Sequence, residues 1–262
     1  MKSKLFISTL LVAGLVSGCS NQQSENERVL RIGATGTSYP SAYKDNGHLV
    51  GFDVEVAEAV AKNLNYKIEW VNSDFSGLMG QLEGKKLDTI SNVVAITPER
   101  EKKYLFTQPY AFYSTRIVTQ KDNLQYKTLD DLKGKTIAGV LGSNNVNVLK
   151  DVFGDTIKIR TYETRDAASS DVLAKRVDGY VNSGPILSAE IKNKSLPLKF
   201  VGKPLQVQNV GFPFNNDERG KKLQKEFDQE IQTLQKNGSL KALSEKYFGE
   251  DITDKAAVEH VE

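Results

Sequence analysis

An arginine at the predicted start of a helix is the residue in this sequence best suited to bind a carboxylate. Residues 89–96 form an apolar run of strand length. Thr97 then has the hydroxyl of a helix N-cap, and Pro98 suits the first helical position because its missing N–H needs no partner there. Arg100 follows in the first turn, where a guanidinium can donate two charge-assisted hydrogen bonds, each contributing about 1.5–3 kcal/mol. Taken alone, these residues fit a solvated surface arginine equally well.

Few of the residue patterns that enzymes use are present. The two histidines of the sequence, His48 and His260, fall in a loop and in the C-terminal tail, so neither a Ser–His–Asp triad nor a histidine-rich metal site is expected. Gly134-Lys135-Thr136 resembles the end of a phosphate-binding loop, but Leu129 stands where that motif needs glycine. We therefore expect a protein that is not an enzyme and that uses no metal or cofactor.

Strands and helices alternate along the chain, which predicts an α/β fold with mostly parallel sheets. In the first half, Asp53 is the predicted N-cap of a helix at 51–63, and Gly84 ends a second helix. The C-terminal part contains a long amphipathic helix that begins at Glu218 and ends at Asn237-Gly238. The predicted strands are at 29–33, 66–71, 89–96, 115–119, 136–141, 157–162, 179–182 and 207–214. The remaining helices are at 74–82, 129–133 and 167–176, and a last short helix ends at 247–249.

The N-terminus has the pattern of an export signal. Lys2 and Lys4 precede an apolar run at 5–16 that is too short to span a bilayer, and Ser17-Gly18-Cys19 follows. Residues 15–19 resemble a bacterial lipobox, in which the cysteine is acylated and becomes the first residue of the mature chain. The alternative is a chance cysteine after an ordinary signal peptide. Because Cys19 is the single cysteine of the sequence, no internal disulfide is expected.

We therefore predict a lipoprotein signal peptide at 1–18 and a polar tether at 19–28. Of the 35 basic residues, Lys2 and Lys4 lie in the signal, which leaves 33 basic against 33 acidic residues. A neutral mature chain makes nucleic acid an unexpected partner. We expect an exported protein held at the cell membrane by lipid on Cys19, facing the periplasm or the cell exterior.

The motif D-x-I-x-N-x-V-x-x-T-x-E-R at 88–100, followed by Phe106 and Pro109-Tyr110, resembles the signature of amino-acid-binding proteins of ABC importers. These form the solute-binding protein family 3. The likeness extends over almost the whole mature chain, through GFDVEVA at 51–57, DDLKGK at 130–135, RVDG at 176–179 and NGSL at 237–240. The segment Ser91-Asn92-Val93-Val94 is similar to the cystine-binding branch.

The resemblance implies a two-lobed Venus-flytrap fold, the type II periplasmic-binding-protein fold, with two crossing hinge strands. Lobe one would comprise residues 29–114 plus 212–250, and lobe two residues 118–207. The crossing segments would lie near 113–119 and 207–214. Such a protein is expected to be a monomer that delivers an amino-acid-like ligand to permease and ATPase subunits. ATP hydrolysis would belong to the separate ATPase subunit.

The resemblance also implies a binding site beyond the carboxyl ends of the strands. Arg100 matches the residue that holds the ligand's carboxylate, and Ser143 matches a hydroxyl that approaches it from lobe two. Phe75 matches an aromatic cover, although a core position fits it too. The remaining expected ligand-binding residues are Val93 and Ala95 by their backbone, Ser38 and Tyr39 in the loop after the first strand, and Asn182 and Ser183.

Ser183 is the largest departure from the family pattern, because relatives usually carry an aspartate there that pairs with the ligand's α-ammonium. Either another acid from the facing lobe replaces it, or the ligand lacks a free ammonium, as in an N-acylated amino acid. The expected ligand is thus a cystine-like, polar or N-substituted amino acid. The same fold also hosts exported dehydratases. That alternative needs a general acid in the cleft, and the serine at 183 argues against it.

Overall fold

The computed structural model describes residues 28–259, and these contain the predicted alternation of strands and helices. The strands are β1 (Arg28–Ala34), β2 (Thr37–Ser38), β3 (Ala42–Asp45), β4 (His48–Val50), β5 (Tyr66–Asn72), β6 (Thr89–Ile90), β7 (Tyr104–Phe106), β8 (Ala111–Gln120), β9 (Thr136–Val140), β10 (Lys158–Tyr162), β11 (Gly179–Ser183), β12 (Leu198–Val210) and β13 (Pro213–Asn215). The helices are α1 (Phe52–Asn63), α2 (Phe75–Glu83), α3 (Pro98–Glu101), α4 (Asn144–Phe153), α5 (Arg165–Leu173), α6 (Gly184–Lys194), α7 (Glu218–Lys236), α8 (Ser239–Phe248) and α9 (Lys255–Glu259). Short 3-10 helices lie at Leu129–Leu132 and Gly154–Thr156.

The first lobe is built on a parallel sheet with the strand order β5-β1-β6. Its core joins β1 to α1, α7 and the residues after β12, and buries Leu30, Phe52, Phe212 and Phe227. The apolar stripe predicted for the long C-terminal helix faces this core. We call the part of the chain that contains β1 to β7, α1 to α3, β13 and α7 the first lobe.

The second lobe is built on a mixed five-stranded sheet with the order β10-β9-β11-β8-β12. The strands β10, β9 and β11 are parallel to one another, whereas β8 is antiparallel to both of its neighbours. One apolar cluster around Leu149 and another around Tyr180 and Leu187 form its core. We call the part of the chain that contains β9 to β11 and α4 to α6 the second lobe.

The two lobes are joined by β8 and β12, which pair antiparallel along most of their length. One end of the pair carries Tyr113 in the first core, and the other end carries Ile117 and Val201 in the second. The register shifts between Val201 and Gln206, so the ladder is interrupted near its middle. The lobe boundaries 29–114 plus 212–250 and 118–207 stay a prediction.

Several predicted elements differ from the structure. The strand expected at 89–96 is only Thr89–Ile90, because Val93 takes a φ of 53° and the chain returns to a single bridge between Ala95 and Val210. The strand expected at 207–214 is two strands, the end of β12 and β13, and β13 pairs with β7 instead. Helices α6 and α9 and the strands β2 to β4 and β7 were not predicted.

Asp53 is not the N-cap of α1, as the sequence predicted. Gly51 takes that position with a φ of 131°, and a Cβ there would lie 2.3 Å from the carbonyl oxygen of Ser41. Only glycine fits this close approach. The Asp53 carboxylate is instead fully buried, where it accepts hydrogen bonds from the hydroxyl of Tyr110 and the N–H of Val93. Among the helices of residues 28–259, none has the length and apolar character needed to span a membrane.

Candidate ligand-binding site between the lobes

A cavity of about 280 Å³ lies between the two lobes, at the ends of strands from both sheets. Its volume is close to the lower limit for ligand pockets, about 300–1,000 Å³, which suits a small molecule. Eight of the nine ligand-binding residues predicted from the sequence line it: Ser38, Phe75, Val93, Ala95, Arg100, Ser143, Asn182 and Ser183.

Tyr39 does not line the cavity, so the structure does not support its predicted role as a pocket wall. Its ring packs edge-on against Tyr43 of β3, with the ring centroids 4.9 Å apart. This contact directs the ring to the hairpin of β2 to β4, and Ser38 is the residue of that loop that reaches the cavity.

Arg100 lies where the sequence predicts it, in the first turn of α3. The hydroxyl of Thr97 accepts a hydrogen bond from the Arg100 N–H and so caps the helix. Its guanidinium donates to two carbonyl oxygens, that of Ala95 at 2.9 Å and that of Gly142 at 3.1 Å. Both acceptors are neutral, and within the described residues no carboxylate forms an ion pair with Arg100. Burial lowers its pKa to about 10, so it remains a cation at neutral pH.

Phe75 lies both in an apolar core and at the cavity wall, so its two expected roles coincide. It packs with Leu78 and Ile90 and is 7% exposed. Its ring lies 5.6 Å from the guanidinium carbon of Arg100, within the range of a cation–π contact. Asp74 caps α2 just before it by accepting hydrogen bonds from the Gly77 N–H and the Ser76 hydroxyl.

The backbone at Val93 and Ala95 is less open to a ligand than the resemblance implied. The Val93 N–H donates to Asp53 over 3.3 Å, and the Ala95 carbonyl is occupied by Arg100. A φ of 53° is strained for a β-branched residue and costs on the order of 1–3 kcal/mol. The buried carboxylate of Asp53 helps to hold this strained conformation.

Ser143 precedes α4 as its N-cap residue, but its side chain makes no capping hydrogen bond. The hydroxyl oxygen is buried and has no partner within residues 28–259. A buried hydroxyl without a partner costs about 1–3 kcal/mol, so a ligand that bonds to it would recover that cost. Ser143 therefore offers a free hydroxyl from the second lobe.

Asn182 and Ser183 end β11 and are almost completely buried. The Asn182 amide donates to the Tyr180 hydroxyl at 2.7 Å, and its carbonyl accepts from the Ser183 N–H at 2.9 Å. Asn145 and Gln208 continue this amide network along the cavity wall, with Gln208 Nε2 donating to Asn145 Oδ1 at 2.8 Å. This side of the cavity is polar and carries no charge at position 183.

Arg165, Asp74 and Glu163 are cavity residues that sequence reasoning missed. The sequence carried a signal for Arg165. Thr164 lies two residues after β10 and caps α5 with its hydroxyl, as Thr97 caps α3, and an arginine follows in the first turn of both helices. The signal was overlooked because α5 was expected to begin at 167, two residues after its observed start.

These features define a two-lobed protein with a small cavity between its lobes, lined by a partly buried arginine. The chain belongs to the bacterial extracellular solute-binding proteins, family 3, whose model matches residues 30–250. The predicted family and the two-lobed α/β fold are thereby confirmed.

The relatives come from several bacteria. The chain is 52% identical to the probable amino-acid-binding protein YxeM of Bacillus subtilis (strain 168) over 97% of this chain and 98% of that protein. It is 32% identical to the L-cystine-binding protein TcyJ of Escherichia coli (strain K12), over 94% of each chain. An ancestral arginine-binding protein bound to glutamine is a similar solved structure, with a TM-score of 0.78 and 32% identity over 85% of this chain and 98% of that one.

Proposed function

We propose that this protein is the substrate-binding subunit of an ABC-type amino-acid importer and captures one small amino-acid-like molecule by closure of its lobes. The observation that carries the proposal is the charge state of Arg100. Its guanidinium lines the cavity, remains cationic and is bonded only to neutral carbonyl groups. An uncompensated cation in a closed cleft is costly, and a ligand carboxylate would offset that cost.

The residues around Arg100 support a carboxylate at this position. Ser143 presents its free hydroxyl from the second lobe, at the start of the ten-residue helix α4, whose N-terminal dipole also favours an anion. Phe75 closes the same region from the first lobe. The ligand's carboxylate would thus touch both lobes and stabilise the closed arrangement.

The ligand's amino group lies, in this proposal, toward Asn182 and Ser183. The carboxylates that line the cavity are Asp74, whose pKa is lowered by its hydrogen bonds to Gly77 and Ser76, and the exposed Glu163. Asp74, from the first lobe, is the candidate for an acid that replaces the missing one. The amide-rich wall at 182–183 suits an N-acylated amine equally. The L-cystine-binding relative supports a cystine-like or other polar amino acid as the parent structure.

We further propose that the protein is not an enzyme. A dehydratase needs a proton donor in the cleft, and the lowered pKa of Asp74 keeps that carboxyl ionised at neutral pH. Asp53, whose pKa is raised to about 6 by burial, is not among the residues that line the cavity. The relatives described above are named as binding proteins, which also supports this view.

Export and lipid anchoring complete the proposal. Cys19 and the predicted signal peptide lie outside the described residues, so the sequence pattern alone supports the anchor. The family description as extracellular proteins supports export. We propose a lipid-anchored monomer that faces the periplasm or the cell exterior and passes its ligand to permease and ATPase subunits.

Native mass spectrometry of the purified protein, followed by denaturation and analysis of released small molecules, tests this function. We expect one released compound that carries a carboxylate and binds again, unchanged, in calorimetry. Conversion of that compound with turnover would overturn the receptor proposal and favour the dehydratase.

A further inference from the structure

Arg165 is a second cation in the cavity, and the carboxylate site at Arg100 leaves it unexplained. It is the first residue of α5 in the second lobe, and its side chain lines the cavity together with Ser38 and Tyr113 of the facing side. The Nη1 nitrogen is buried and has no hydrogen-bond partner in the described part of the chain. Arg165 also forms no ion pair with any residue from 28 to 259.

A second donor lines the same cavity from the facing side. The hydroxyl of Tyr113, on β8, is buried and lies near the Ser41 hydroxyl, but it forms no well-aligned hydrogen bond within the described ranges. Burial raises the pKa of Tyr113 well above its ordinary value, so the phenol keeps its proton and can donate. A guanidinium and a phenol with unused donors are a pair that a carboxylate would satisfy.

The acids near Arg165 do not neutralise it directly. Asp53 of α1 and Glu190 of α6 feel its charge, and Asp166 follows it in α5. Burial nevertheless raises the pKa of both Asp53 and Glu190, which a direct ion pair with Arg165 would lower. One carboxylate oxygen of Asp53 accepts hydrogen bonds from Tyr110 and Val93, and the other is buried without a hydrogen-bond partner among the described residues. Glu163, which lines the cavity, is exposed and makes no ion pair with Arg165.

We infer that the ligand carries a second anionic group in addition to its α-carboxylate, and that Arg165 and Tyr113 bind it. The chemical class is a dicarboxylic amino acid or an amino-acid derivative with an acidic side chain. This inference rests on the proposed function, since Arg100 is assigned to the α-carboxylate. It narrows the ligand from polar amino acids in general to those with two anionic ends.

Matched acid and amide ligands test the second site. The probes are L-glutamate with L-glutamine and S-carboxymethyl-L-cysteine with S-carbamoylmethyl-L-cysteine, each also in its N-acetyl form. Calorimetry compares the wild-type protein with Arg165→Gln and with a control, Arg160→Gln. Arg160 lies on β10, outside the cavity, with its side chain 52% exposed and 3.9 Å from Asp171.

We expect the wild type to bind at least one acid at least tenfold more tightly than its amide. Arg165→Gln should weaken binding of that acid about tenfold to a hundredfold, the range of a charge-assisted pair, and change amide binding less than threefold. Arg160→Gln should leave both unchanged.

Other outcomes separate the two proposals. Equal wild-type affinity for acid and amide, or an equal loss for both in Arg165→Gln, would overturn the second site. An equal loss together with a lower Tm would mean that Arg165 only offsets the charges of Asp53 and Glu190. In both cases the proposed function would stand. If the wild type binds none of these probes, the second site fails, whereas the proposed function fails only if native mass spectrometry also finds no carboxylate-bearing compound that binds again.

Discussion

The Nη2 nitrogen of Arg100 donates a hydrogen bond to the carbonyl oxygen of Gly142, 3.1 Å away, and this bond joins the two lobes. Arg100 belongs to α3 of the first lobe, and Gly142 lies between β9 and α4 of the second. The group that we propose to hold the ligand's carboxylate is therefore also hydrogen-bonded across the cleft. If the proposal holds, ligand capture and lobe closure share one side chain, which makes Arg100 the first residue to change.

Arg100→Ala should weaken ligand binding at least a hundredfold, because two charge-assisted hydrogen bonds of about 1.5–3 kcal/mol each are lost. The Tm should change by no more than a few degrees, since the lost bonds to Ala95 and Gly142 are offset by removal of a buried cation. Calorimetry with the released ligand measures the first effect, and thermal unfolding measures the second.

Lys103→Ala is the matched control for Arg100→Ala. Lys103 follows α3, is 60% exposed and pairs with Glu83 outside the cavity. Its removal should leave affinity unchanged. Binding by Arg100→Ala within a few-fold of the wild type would mean that the guanidinium has no role in ligand capture.

The sequence was sufficient to predict the elements whose limits are set by local chemistry. Thr97 caps α3 with its hydroxyl oxygen and Gly84 ends α2, as predicted, whereas the helix expected to start at Asp74 begins one residue later and has Asp74 as its cap. By contrast, α6 was missed because Gly184-Pro185 resembles a turn, although proline is well tolerated in a first helical turn. The paths of β12 and β13 depend on pairing with β8 and β7, which sequence periodicity does not reveal.

The candidate site was predicted through the family resemblance more than through residue chemistry. The resemblance identified the positions of Arg100 and Ser143, and both line the cavity. It gave no indication of Arg165, which is absent from the quoted motifs. Tyr39 was misplaced because its ring contacts Tyr43, a tertiary contact within a hairpin that was not predicted.

The serine at position 183 leads to a prediction about substitution on the ligand's nitrogen. Without an acid at 183, an N-acetyl amino acid should raise the Tm at least as much as its free counterpart, because a neutral amide avoids the cost of a desolvated cation. A thermal-shift panel of free and N-acetyl pairs measures this. A strong response to a free amino acid with none to any acylated partner would contradict the prediction and favour Asp74 as the replacement acid.

Ser183→Asp should shift preference toward the free amine about tenfold or more, since a buried carboxylate within reach of an ammonium adds a charge-assisted pair. Ser183 is the N-cap residue of α6, a position where aspartate is well tolerated, so the fold should persist. Ser183→Ala is the control, because it removes the hydroxyl and adds no charge. An equal effect of both variants would show that position 183 does not contact the amine.

Cys19→Ser should release the protein from the membrane, because one acylated residue is predicted to supply the whole anchor. Fractionation of cells that express either form measures the distribution, and metabolic labelling with a fatty-acid analogue identifies the modified residue. Absence of label on the wild-type protein would leave an ordinary signal peptide as the explanation of the pattern.

The buried carboxyl of Asp53 should make the protein less stable as the pH rises from 4 to 6. Burial raises its pKa from 3.8 to about 6, although the hydrogen bonds from Tyr110 and Val93 oppose this rise. Between these values the folded state binds more protons than the unfolded state, so the free energy of unfolding falls with pH. This difference in pKa corresponds to about 3 kcal/mol of free energy of unfolding, which is lost once the pH is above 6.

Asp53→Asn tests this pH dependence, because the amide oxygen can still accept from Tyr110 while the charge is removed. Chemical unfolding at several pH values should give a wild-type-minus-variant difference that falls by about 3 kcal/mol across this range. For Asp88→Asn, the difference in free energy of unfolding from the wild type should change with pH in the opposite direction. Although burial opposes it, hydrogen bonds from Arg219 and Arg31 lower the Asp88 pKa, so the wild-type advantage over this variant grows as pH rises through 4. If the difference in free energy of unfolding between the wild type and Asp53→Asn does not change with pH, Asp53 stays ionised with Arg165 as its partner. That result would weaken the case for a second anion site.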